Sequence, residues 1–257
     1  MITPTQIKNN IILTAFDVEA MAATFMVNSV DNDKLDASST KPPLCICLLS
    51  IDNFTNINEV IHWLKSSKKM SSQKGMKMIL GVIFHTHVYE DAIQRLSLLK
   101  QLKLIADGVV LIDNSQELSR ACALARFAQF VLNMNTRGGF ILFDDIKIED
   151  ISQGISFFTF NSDFKFRYFL KSYHIDLLLE NHLTPYDSGY CLFFSFRYDE
   201  QFDVLPVYED INLWAHDFSL QLYLEQRPRI ALFDEENLGN RHLTDLLFVN
   251  LQFDEKE

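Results

Sequence analysis

Glycine and proline are scarce in this chain, at 8 and 6 of 257 residues. With 48% hydrophobic and 22% charged residues, that scarcity excludes a low-complexity or disordered polymer and predicts order through most of the length. Positive charge is also short. Lys and Arg number 23 against 34 Asp and Glu, a formal net charge of -11. Outside the short stretch from Lys65 to Lys77 no basic cluster offsets that field, so nucleic acid is not an expected partner. The four cysteines, Cys45, Cys47, Cys122 and Cys191, make no disulfide framework in a chain of this size. No charged-then-apolar leader opens the sequence, and a reducing cytoplasm is the expected compartment. Long hydrophobic runs are missing too: Asp, Lys, Arg or Asn interrupts every apolar block before the roughly 18 residues a membrane span needs, so no direct membrane insertion is expected.

What is present is an alternating pattern. Ile11 to Ala15, Leu44 to Leu49, Met78 to Phe84 and Gly108 to Ile112 are continuously apolar, as strands covered on both faces must be. Between them Ile57, Val60, Ile61 and Leu64 recur at helical spacing, and Asn56 with Glu59 has the form of a capping box, which predicts a helix over 56–66. A second helix is expected from about Tyr89 to Leu102, with Ile93, Leu96, Leu99 and Leu102 on one side. Strand and helix in alternation imply right-handed crossovers and a parallel sheet. The polar stretches Asp31 to Pro43 and Ser66 to Gly75 read as solvated connections.

Asn114 with Glu117 is expected to start a long central helix with Leu118, Cys122, Ala125, Ala128 and Leu132 inward, ended by Arg137-Gly138-Gly139. Beyond it the pattern predicts a short helix near 146–153, a strand from Ile155 to Phe160, a helix from Asp163 to about Leu179 and a strand from Tyr190 to Phe196. A helix beginning at Pro206 and three closing strands near Leu220, Ile230 and Leu246 would follow. The expected fold class is α/β: a parallel-sheet domain over 1–134, including a central helix over 114–134, and a smaller mixed-sheet domain over 135–257.

Taken in order, these elements resemble a reduced member of the FtsZ/tubulin superfamily over about Leu44 to Asn250. The residues that carry the likeness are Gly108-Val-Val-Leu-Ile-Asp-Asn114 entering the central helix, then Arg137-Gly-Gly-Phe-Ile-Leu-Phe-Asp-Asp145, then Gly154. The resemblance implies a nucleotide-binding-type half, a central helix and an activation-type half. It also implies a GGGTGTG phosphate loop after the second strand, but that place reads Leu49-Ser-Ile-Asp-Asn-Phe-Thr-Asn-Ile-Asn58. It has no glycine to bare its amides, and it carries Asp52. The loop after the opening strand, Thr14-Ala-Phe-Asp-Val-Glu19, likewise has no glycine and two carboxylates. The family's catalytic N-x-D-x-x-D loop is represented by Leu142, Asp144 and Lys147, and a lysine ammonium cannot accept a proton from water. Ser50, Asp52 and Asn53 are thus read as a relict nucleotide loop, and Leu142, Asp144, Asp145 and Lys147 as a candidate interface or relict loop.

Other features admit a sharp and a bland reading. Asp144, Asp145, Glu149 and Asp150 have the makings of a cation site, but acids at a helix N-terminus complement its dipole without one. His85-x-His87, near Glu90 and Asp91, has metal-ligand spacing, yet capping and surface polarity account for it equally. Cys45-x-Cys47 lacks a second pair for tetrahedral coordination and reads as two thiols on one strand face. Phe157, Phe158, Phe160, Phe164, Phe166 and Phe169 belong mostly to a core.

The expectation is a non-catalytic, FtsZ/tubulin-like pseudo-GTPase of bacterial cell-division or cytoskeletal type. It would act by protein association with itself or an FtsZ-like subunit, with no catalytic residue, cofactor or metal assigned. The alternative is an enzyme or small-molecule binder of another doubly wound α/β family, using Ser50, Asp52, His85, His87 and Asp113 at strand ends. Three closing strands after a bridging helix favour the first reading, and one continuous sheet favours the second.

Overall fold

A computed structural model describes residues 5–8, 11–29, 43–52, 56–85, 92–112, 119–136, 141–142, 154–161, 189–197, 229–233 and 243–251. The four expected strands form at Ile11–Ala15 (β2), Leu44–Ile51 (β3), Lys77–Phe84 (β4) and Gly108–Ile112 (β5) and pair in parallel. An additional edge strand, Thr5–Lys8 (β1), pairs antiparallel with β2. Helices Val18–Ser29 (α1), Ile57–Gln73 (α2), Ala92–Lys103 (α3) and Arg120–Thr136 (α4) connect or cover them.

Continuous apolarity of the strands follows from the layering. Leu44, Ile46 and Leu48 face a core shared with Ala20, Ala23 and Val27 of α1 and with buried α4 residues. The alternate residues Cys45, Cys47 and Leu49 face Val60 and Leu64 of α2 and Leu98, Leu99 and Leu102 of α3. Period-two alternation therefore leaves no polar side to any central strand.

The helices differ from the sequence reading at several points. The segment after β2, to which no element had been assigned, forms α1. α2 continues through the Lys/Ser stretch read as a loop: its buried stripe is Val60, Leu64, Ser67 and Ser71, so small hydroxyls extend the inward face where aliphatics stop. The Ser71 hydroxyl donates to the Lys68 carbonyl at 2.9 Å, which makes its burial tolerable. The helix ends at Gly75, whose φ of 65° is left-handed. There the Met76 amide donates to Ser71 O at 2.9 Å and the Gly75 amide to Ser72 O at 3.1 Å, the paired bonds of a Schellman end. Asn56 does stand at the N-cap but makes no side-chain capping bond.

Within the described residues the central helix α4 begins at Arg120, with the Ser119 hydroxyl accepting from the Cys122 amide at 3.2 Å. Asn114, Glu117 and Leu118 lie outside the described residues. Ala123 through Leu132 are all buried, whereas Cys122, expected inward, is partly exposed. Most of that stretch is apolar, as a helix buried on every side requires, and Arg126 and Gln129 are buried within it. Phe127 and Phe130 pack on Phe157 at ring-centroid distances of 5.3 and 5.2 Å.

Phe157 belongs to Gly154–Asn161 (β7), which pairs in parallel with β5 through Leu111 and Ile112. Through β7 the sheet continues to Leu243–Leu251 (β10), Gly189–Arg197 (β8), Arg229–Phe233 (β9) and the two-residue Ile141–Leu142 (β6). Among the described residues the order is β1-β2-β3-β4-β5-β7-β10-β8-β9-β6, ten strands in one sheet. In the second half β10 is antiparallel to β7 and β8 while β8 and β9 are parallel. The parallel β5–β7 pair makes the ladder continuous across the described strands. The expected helices near 146–153, from Asp163 and from Pro206, and the strand near Leu220, fall outside the described residues.

Candidate functional site

In an open sheet with parallel central strands, chemistry gathers beyond the carboxyl ends of the strands. There β2 ends at Ala15 and α1 begins at Val18, so the first orphan amides of α1 point at whatever stands before it. Asp17 stands there. Its Oδ1 accepts from the Glu19 amide at 3.0 Å and the Ala20 amide at 2.9 Å, the geometry of an N-cap. Its Oδ2 accepts from the Ser50 amide at the end of β3, at 2.6 Å. One carboxylate thus collects three main-chain donors, two from the first turn of α1 and one from the end of β3. Burial raises the Asp17 pKa; the amide bonds from Ala20, Ser50 and Glu19 oppose that rise and the Asp52 charge adds to it.

Arg120 closes the arrangement from the start of α4. Its Nη1 pairs with Asp52 Oδ1 and its Nη2 with Glu19 Oε1 at 2.9 Å. The guanidinium therefore ties α4 to the start of α1 and to the end of β3, pairing with two carboxylates. Glu19 Oε2 and Ser50 Oγ are buried with no hydrogen-bond partner among the described residues.

Of the relict nucleotide loop, Ser50 and Asp52 are brought to this point and Asn53 lies outside the described residues. His85 joins them from the end of β4, its amide donating to Ile51 O at 2.9 Å; His87 and Asp113 lie outside. Leu142 is elsewhere, in β6 opposite Ala231 of β9 at the far end of the sheet. Asp144, Asp145, Lys147, Glu149 and Asp150 are outside the described residues. Cys45 and Cys47 are buried free thiols with sulfurs 3.9 Å apart. Hydrogen bonding with Cys45 and burial push the Cys47 thiol well up. Among the described residues no group of three or more His, Cys, Asp or Glu is placed to hold a metal ion. No helix among them is long and apolar enough to cross a membrane.

Sequence reasoning missed the role of Asp17 and missed Arg120 altogether. An N-cap signal was available, because an Asp directly before an apolar helical stretch is a helix start. Arg120 offered none: its partner Asp52 is 68 residues away, and only the sheet order brings them together.

The class defined so far is an open α/β sheet with helices on both faces and a self-capped cleft at its strand ends. No family model and no curated protein matches the chain. Among solved structures it is similar to CetZ from Methanosaeta thermophila strain DSM 6194, at 12% identity and a TM-score of 0.42, covering 83% of this chain and 62% of that one. It is similar also to TubZ of Clostridium botulinum phage c-st, at 11% identity and a TM-score of 0.48, covering 96% of this chain and 94% of that one. The chain thus spans less than two thirds of the CetZ chain, and at these TM-scores neither likeness assigns it a family.

Proposed function

We propose that this chain is a non-catalytic, nucleotide-independent FtsZ/tubulin-type protein that works by association with another protein, a second copy of itself or an FtsZ-like subunit. The observation that carries the proposal is the Asp17 carboxylate on the amides of Glu19, Ala20 and Ser50. A phosphate cradle needs such amides free and needs nearby positive charge. Here the chain supplies its own anion, and Arg120 is already paired with two carboxylates. An incoming polyphosphate would have to displace Asp17 and face Glu19 and Asp52.

Thermal unfolding with Mg-GTP tests this. The proposal expects no shift, whereas a ligand present at about 100 times its Kd would stabilise the fold by about 2.7 kcal/mol. A magnesium-dependent rise in Tm with GTP overturns the nucleotide-independent reading. Sedimentation over a range of protein concentrations reads self-association, and added FtsZ-like subunits read the other partner; a chain monomeric in both has lost the association reading.

A second reading is favoured by one observation: the β5–β7 pairing joins both halves into a continuous sheet. A small-molecule-binding protein of another doubly wound α/β family is consistent with that continuity.

A further inference from the structure

The helix α2 connects β3 to β4 and packs on that face of the sheet, and residues at the end of β2 stand beside its flank. Along that flank runs a groove of about 650 Å³, from Phe16 at the end of β2 past Asn58, Glu59, His62 and Trp63 to Met70. Asn58 to Met70 is about 18 Å of helix. Phe16, Trp63 and Met70 of the groove pack against the core on the α2 and α3 face of the sheet. Its volume is within the range of about 300 to 1,000 Å³ that small-ligand sites occupy.

Its walls have a definite chemistry. The Phe16 and Trp63 rings meet at 5.4 Å with their planes 50° apart, forming an aromatic corner. Met70 adds a polarisable floor that adapts to a flat guest. Among the described lining residues Glu59 is the one carboxylate and there is no Lys or Arg. Helix geometry puts Glu59 and Trp63 on one face, four residues apart, so a guest against the indole has the carboxylate one turn away. An indole face attracts a cation and a carboxylate holds it, while an anion meets repulsion from both.

We infer that this groove binds a small organic cation with a flat aromatic body, its ring in the Phe16–Trp63 corner and its positive charge toward Glu59. The inference does not rest on either functional reading above. Calorimetric titration of the full chain with N-methylquinolinium tests it, with naphthalenesulfonate as the anionic counterpart of similar shape. The cation is expected to bind saturably and at least about tenfold more tightly than the sulfonate. Glu59→Gln, at an exposed position, should weaken the cation about fivefold without changing Tm, and Trp63→Leu about tenfold. Equal or tighter binding of the sulfonate overturns the inference, as does absence of binding at about 1 mM cation. Unchanged affinity in Glu59→Gln also overturns it, and that variant remains decisive should Trp63→Leu fail to fold.

Discussion

Asp17 performs two tasks with one side chain: it caps α1 and it pins the end of β3. Asp17→Ala leaves the amides of Glu19, Ala20 and Ser50 without that acceptor, and is expected to cost about 2 kcal/mol in urea unfolding. An unchanged midpoint would mean that water replaces the carboxylate without loss. Asp107 is a contrasting acid. It accepts from the Met78 amide at 2.7 Å and from Lys68 Nζ at 2.5 Å. Burial on its own raises its pKa, but the bonds from Lys68 and Met78 and the charges of Lys68 and Lys77 outweigh burial and hold it below its ordinary 3.8. A carboxylate depressed in the fold stabilises it fully above that value, and the contribution is lost as pH falls through the lower folded-state pKa. Asp17, raised in the fold, has the opposite sign: its contribution is present below 3.8 and is lost as pH rises through the raised value. The expected outcome is that Asp107→Asn flattens the acid side of a Tm-against-pH curve, while Asp17→Asn does not.

At the scale of elements, the contact between α4 and the sheet depends on a missing side chain. A Cβ placed on Gly81 of β4 would come within 2.5 Å of the Phe127 ring and 2.9 Å of Ile112 Cδ1. The glycine is there for close approach, since it lies mid-strand where its freedom of φ has no use. Gly81→Val is therefore expected to destabilise by about 3 kcal/mol or to abolish folding, read by denaturant unfolding. Pairing it with Phe127→Leu should recover part of the loss, because the two changes share one space. α2 teaches a related lesson about reading sequence. The helical period was legible through Leu64 and then vanished into lysines and serines, yet the helix runs on to Gln73, about two and a half turns further, on buried Ser67 and Ser71. A small hydroxyl close to a sheet looks the same in sequence as one in solvent.

For the molecule as a whole, the β5–β7 pair and the Phe127–Phe130–Phe157 cluster couple the first and second halves. Phe157→Ala, although in β7, is expected to remove about 3 kcal/mol or more and to lower amide-exchange protection in β3 and β4 as well as in β7. Protection lost only from β7 onward would show that the halves unfold independently. The existence, parallel sense and approximate limits of β2 to β5 could be read from residues alone, because a strand buried on both faces must be apolar nearly throughout and so announces itself; β3 runs on two residues past the expected end, through Ser50 to Ile51. The same holds for the apolar body of the central helix. The cleft was legible only in part: acids stood where glycines would be needed, but a carboxylate's letter does not say whether it repels a guest or caps a helix. Pairing of Asp52 with Arg120, closure of the sheet across β5 and β7, and the groove beside Trp63 all join residues far apart in the chain. Such contacts follow from which strands become neighbours, a choice made by packing of the whole core and written in no local run of residues.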